Sequence, residues 1–262
     1  MPASVPGFVL VTGASSGIGR ALAHEFSRHS HSVILVGRDS AALEAARVEC
    51  EKLGAPRVLV LAEDLGAPGA STRVFERLSV DRARVDTLVN NAGSGAHGRF
   101  VDIEMGRQLA ITRVQIESMM ELTQLFLRQL EGRPGSILNV SSVYAYAPAP
   151  YQAVYGATKA FMLSFSEALA HELHGTGTQI TVLCPGSTRT EFRRRANAGE
   201  PSGCPPEAVA RAGYRALARG RFVCVPGPHN WLYTTIINHL PHALRARAVQ
   251  MINSRRGLKA NH

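Results

Sequence analysis

Tyr155 and Lys159 stand four residues apart in the run SVYAYAPAPYQAVYGATK, which begins at Ser142. Residues at i and i+4 share one face of a helix, so a helical segment here would project a phenol and an ammonium side by side. A free phenol titrates near 10 and is a poor acid or base in neutral water. A neighbouring cation favours the phenolate and lowers that value, which makes the pair a proton-transfer device. Alone, the pair fits an ordinary surface helix equally well.

A second chemical signal lies near the N-terminus. The run Thr12-Gly13-Ala14-Ser15-Ser16-Gly17-Ile18-Gly19 links an apolar stretch to a helical pattern over 20–29. Glycines permit a tight turn and close backbone approach to a pyrophosphate, and a helix N-terminus offers free N–H groups. Arg38 follows Val36-Gly37 at the end of the next apolar run, where an acid would bind ribose hydroxyls. An Arg there suits a 2′-phosphate, so the spacing predicts NADP rather than NAD. Three further run ends carry candidate ligand contacts: Asp64-Leu65, Asn90-Asn91-Ala92-Gly93 and Pro185-Gly186-Ser187-Thr188-Arg189-Thr190. Asp64 is equally suited to capping a helix.

The elements that must position these residues can be read from the apolar runs 8–12, 33–36, 58–61, 87–89, 136–140, 180–183 and 222–225. Most are rich in Val, Ile and Leu without polar alternation, the pattern of strands buried on both faces of a parallel sheet. The intervening segments, such as 40–53 and 116–130, are long enough for crossover helices. The predicted fold is α/β: one Rossmann-type domain over 1–262, with a doubly wound seven-stranded parallel sheet and helices on both faces. A lid is expected over about 187–206. A C-terminal helical extension is expected over about 228–256, as two amphipathic helices joined at Pro241.

The chain has 262 residues, 45% hydrophobic and 19% charged, which fits one globular core. Its net charge of +9 is concentrated in Arg193-Arg194-Arg195 and in the last twenty residues. No zinc-finger or RNA-binding signature accompanies it, so nucleic acid is not expected as a partner. No apolar run reaches the ~20 residues that span a bilayer, and the opening MPASVPG lacks a secretory pattern. Four scattered cysteines suggest reduced thiols and a cytoplasmic protein. The histidines show no metal-ligand spacing, and no metal is expected.

As an ordered set, these motifs resemble the short-chain dehydrogenase/reductase superfamily, with the resemblance running from about 8 to 192. The set comprises TGASSGIG at 12–19, DL at 64–65, NNAG at 90–93, Ser142, YGATK at 155–159 and PGSTRT at 185–190. The resemblance implies that Tyr155 is the general acid in carbonyl reduction and the base in alcohol oxidation. Ser142 would hold the substrate oxygen, and Lys159 would bond the nicotinamide ribose and lower the pKa of Tyr155. The cofactor would be held by Gly13, Ser15, Ser16, Gly17, Ile18, Gly19, Asp64, Leu65, Asn91, Ala92, Gly93, Pro185, Gly186, Thr188 and Thr190. Members usually carry an Asn about forty residues before the Tyr, holding a relay water; Gln115 stands there instead. The residue is a candidate for that role, for an altered rate, or for a cofactor-binding regulator with little turnover.

Val143, Tyr144, Tyr146, Pro148, Pro150 and Tyr151 are candidate substrate contacts, and their character predicts an apolar carbonyl or alcohol. A 3-oxoacyl reductase docking a carrier through its basic clusters is the alternative. A homodimer or homotetramer is expected; peripheral membrane contact is the less favoured reading of the C-terminal apolar stripe.

Overall fold

A computed structural model describes residues 7–241 and 244–251. Seven strands form one sheet: β1 (Phe8–Thr12), β2 (Val33–Gly37), β3 (Val58–Ala62), β4 (Val85–Asn90), β5 (Ser136–Val140), β6 (Gln179–Leu183) and β7 (Val223–Cys224). Their order is β3-β2-β1-β4-β5-β6-β7 and every pairing is parallel. Alternate side chains of one strand feed opposite cores. Val9, Val11, Val33 and Leu35 join the cluster under α1 (Gly17–Arg28) and α8 (Pro206–Ala218). Phe8, Leu10, Ile34 and Val36 join the cluster under α3 (Ala70–Val80) and α5 (Ser118–Leu130). This two-sided burial is why the strands read as continuous apolar runs.

The helix α2 (Ser40–Lys52) is capped by Asp39, whose carboxylate accepts from Ala42 N at 3.0 Å. Between α4 (Met105–Thr112) and α5, residues 113–117 make a wider π-type turn. Such a bulge often marks a functional site. The helix α6 (Ala153–Glu172) carries Tyr155 and Lys159 in its first two turns. The expected lid contains a short helix, α7 (Phe192–Arg195), and is pinned at its base by a bridge between Thr188 and Cys204.

In the expected C-terminal extension, α9 (Pro228–His239) is followed by a helical stretch over 244–251. Residues 242–243 and 252–262, including most of the basic tail, lie outside the described residues. The strand order reverses direction between β1 and β4. In an open α/β sheet, the crevice at that switch point is where a ligand binds.

Candidate functional site

The C-terminal ends of β1 and β4 meet at that crevice and are bonded to each other. Thr12 Oγ1 accepts from Asn91 N at 2.9 Å and Ala92 N at 3.0 Å, and donates to Val89 O at 3.1 Å. Asn91 Nδ2 donates to Thr12 O at 2.8 Å. The Asn91 side chain thus fastens the Gly-rich turn. Gly19 does not line the crevice. A Cβ there would sit 2.3 Å from Gly13 O and 2.4 Å from Asn91 Nδ2, so its part is to let α1 close on the turn.

Ser16 precedes α1 without a side-chain cap, and the first turn holds no acid. The first N–H groups of α1 are therefore free for an anion. With Gly13 held at φ +66, these residues fit a dinucleotide pyrophosphate.

From this turn a cavity of about 860 Å³ runs to the phenol of Tyr155. Ser15, Ser16, Gly17, Ile18, Arg38, Asp64, Leu65, Ala92, Gly93, Pro185, Gly186, Thr188 and Thr190 lie in its wall with Gly13, Asn91, Ser142, Tyr155, Lys159 and Gln115. Arg38 is exposed at the adenosine end and has no ion pair among the described residues. Of the acids there, Glu63 pairs with Arg73 at 2.7 Å and Asp64 Oδ1 accepts from Gly66 N at 3.0 Å.

At the other end, Ser142 shares the cavity wall with Tyr155, and its Oγ accepts from Tyr144 N at 3.2 Å. Lys159 is buried and donates from Nζ to Val140 O at 2.9 Å. Its Nζ stands 5.6 Å from the Tyr155 ring centroid. Burial pushes the Tyr155 phenol well above its ordinary value; the Ser142 hydroxyl offsets part of this, and Tyr144 adds to it. Burial also lowers the Lys159 ammonium to about 7. Desolvation is the main cause on both groups: it opposes the phenolate on Tyr155 and the ammonium on Lys159.

Gln115 lies in the π-type turn, fully buried, and donates from Nε2 to Ser94 O at 2.8 Å. Among the described residues its Oε1 has no hydrogen-bond partner, and Gln115 lines a small pocket of about 10 Å³. Asn90 Oδ1 and Ser118 Oγ, also buried and unpartnered, belong to residues lining the same pocket. Asn90 Nδ2 continues inward to Asn139 Oδ1 at 2.9 Å.

Several wall residues escaped sequence reading. Phe192 of the lid stands 5.4 Å from the Tyr155 ring. Arg107 holds the lid by donating to Arg195 O at 2.5 Å and Gly95 O at 3.3 Å. Asn230 approaches Gly186 so closely that a Cβ there would meet its Oδ1. Tyr233 and Val249 bring the C-terminal segment into the same wall. Only the apolar character of Tyr233 and Val249 was a signal for them.

Of the expected substrate contacts, Val143 and Tyr144 line the cavity. Tyr146, Pro148, Pro150 and Tyr151 do not. Tyr146 packs with Ile237, and Tyr151 stacks on His97 at 6.0 Å. Arg193 and Arg194 are committed within the lid. Arg193 donates to Ala198 O at 2.6 Å and Glu200 O at 3.0 Å, and Arg194 pairs with Glu191 and Glu200. Among the described residues no cluster of His, Cys, Asp or Glu could hold a metal ion.

The short chain dehydrogenase family model matches residues 7–201. The chain belongs to the short-chain dehydrogenase/reductase family. Within this family it is 36% identical over 187 residues to sulfoacetaldehyde reductase 2 of Chromohalobacter salexigens, covering 70% of this chain and 73% of that one. It is 34% identical over 185 residues to 11-beta-hydroxysteroid dehydrogenase 1A of Arabidopsis thaliana, covering 70% of this chain and 53% of that one. The chain thus spans about half the length of that relative. Among solved structures, a short-chain dehydrogenase from Sphingobium yanoikuyae in complex with NADPH superposes with a TM-score of 0.79 at 30% identity. That match covers 91% of this chain and 98% of that one.

Proposed function

We infer that this family member is an NADP(H)-dependent oxidoreductase interconverting a carbonyl and a secondary alcohol on an apolar substrate. The observation that carries the reading is that Ser142, Tyr155 and Lys159 line the same cavity as the uncapped start of α1. The nicotinamide, when bound, supplies or accepts the hydride. In the reductive direction Tyr155 gives its proton to the substrate oxygen, and Ser142 steadies that oxygen beside the phenol. The Tyr155 phenol carries its proton at neutral pH, as the acid in reduction must. Phe192, Val143 and Tyr144 narrow the surroundings to apolar contact, supporting an apolar body on the substrate.

Arg38 supports the preference for the phosphorylated cofactor. It stands exposed in the wall, while Glu63 beside it is tied to Arg73. NADPH oxidation over a panel of steroids, acyl thioesters, sugars and aromatic ketones tests the activity. Arg38→Ala should raise the KM for NADPH about tenfold or more, the worth of a charge-assisted bond, and leave NADH little changed. Equal effects on both cofactors would overturn the NADP assignment. Of the two basic clusters that the carrier-docking alternative invokes, Arg193 and Arg194 of the first are used inside the lid.

A further inference from the structure

The charge of this chain is divided in an unusual way. Residues 1–207 contain twenty Lys or Arg and twenty Asp or Glu. Residues 208–262 contain nine Lys or Arg and no acid, so this last part carries the whole net charge of +9. The same part holds the exposed apolar side chains of the C-terminal segment. Trp231, Leu232 and Ile236 of α9 are 59%, 52% and 53% exposed, and Leu244 of the following helical stretch is 48% exposed. The i, i+4 spacing of Leu232 and Ile236 puts them on one side of α9, with Trp231 adjoining. Thr234 and Ile237, on its other side, are buried. Arg245 and Arg247 follow Leu244; Arg245 donates to Leu240 O at 2.6 Å and Asn238 O at 2.5 Å, and Arg247 is exposed.

We propose that α9 and residues 244–251 form a docking face for an anionic lipid surface, lying in the headgroup region with Trp231, Leu232 and Ile236 inserted. Helix α9 itself carries no Lys or Arg; the face joins its exposed apolar side chains to Arg245 and Arg247 of the following stretch, and anionic lipid complements that unopposed charge. Among the described residues no helix is long and apolar enough to cross a membrane, so the segment lies on the bilayer. A second copy is a poor occupant. A two-fold contact through this face would bring two wholly basic segments together. The face adjoins the catalytic cavity: Asn230 and Tyr233 of α9 and Val249 of the next stretch line it. Docking would therefore set the cavity beside the source of an apolar substrate. The interaction itself does not depend on which carbonyl the enzyme reduces.

Trp231 is the sole tryptophan of the chain, which makes the test direct. The full chain is mixed with vesicles of phosphatidylcholine, with and without about 30% phosphatidylglycerol. Co-flotation should rise about tenfold with the anionic lipid and fall as salt shortens the screening length. Trp231 emission should shift to the blue on binding. Leu232→Ser with Ile236→Ser should reduce the bound fraction about tenfold, the loss expected from the apolar part of interfacial binding. Turnover of a water-soluble ketone and the circular dichroism spectrum should not change, since both side chains point to solvent. Three outcomes would overturn the proposal: equal binding to neutral and anionic vesicles, no blue shift with either, or a Trp231 emission already blue and concentration-dependent without lipid. The last would assign the face to self-association.

Discussion

At the residue scale, Gln115 was read as holding the relay water from a shifted position or else as altering the rate, and its geometry argues that it is fitted to its place. The extra methylene lets Nε2 reach Ser94 O at 2.8 Å while the side chain packs against Gly93. Gln115→Asn shortens the arm and should break that bond. With a bond worth about 1 kcal/mol, kcat should fall roughly fivefold. A faster variant would show that the native amide hinders the relay. Tyr155→Phe keeps the ring against Phe192 and removes the transferable proton. Turnover should drop by about 10²–10⁴, with NADPH affinity nearly intact.

The pH dependence follows from Lys159, which burial brings to about 7. Below that value it is an ammonium near the phenol and stabilises the phenolate that carbonyl reduction leaves on Tyr155. Above it the cation is lost, so kcat/KM for reduction should decline from about pH 7 upward. Lys159→Met should lie low and lack that limb. A wild-type profile level to pH 9 would remove Lys159 from this role.

At the element scale, the motifs were legible because each sits where a strand ends, and strand ends are local features. The strands themselves were legible because both faces are buried. Their apolar runs matched β1 and β5 in full and missed the others by one to three residues, most at β4. The π-type turn at 113–117 and α7 were not legible, since elements of four or five residues have too few positions to show a period. Phe192, Asn230 and Tyr233 were not legible as wall residues. Contacts across 37 to 78 positions from Tyr155 leave no trace in local pattern.

The junction of the turn with α1 is the element most sensitive to change. Gly19→Ala places a methyl against Gly13 O and Asn91 Nδ2, groups that Thr12 and β4 hold fixed. The variant should lose about 1–3 kcal/mol to overpacking, read from urea unfolding, and most of its NADPH affinity. Gly106→Ala, in α4 where a Cβ meets nothing closer than 3.4 Å, should be neutral or slightly stabilising.

At the scale of the whole molecule, the cavity joins parts of the chain that otherwise share little. β1, β4 and β5 form its floor, α6 supplies the phenol, and the lid and C-terminal segment close one side. A ligand that touches all of these should stabilise them together. Binding to the native state alone adds about 2.7 kcal/mol when the ligand is at a hundred times its Kd. For a domain of this size, 1 kcal/mol moves the midpoint by about 2–4 °C. NADPH at that ratio should therefore raise Tm by roughly 5–10 °C. If Arg38 meets the 2′-phosphate, NADH at the same concentration should raise it less, and Arg38→Ala should bring the two shifts together. If NADPH and NADH shift the wild type equally, the charge at Arg38 is spent on solvent. The cofactor would then be chosen by the turn and α1 alone, which offer the same N–H groups to either dinucleotide.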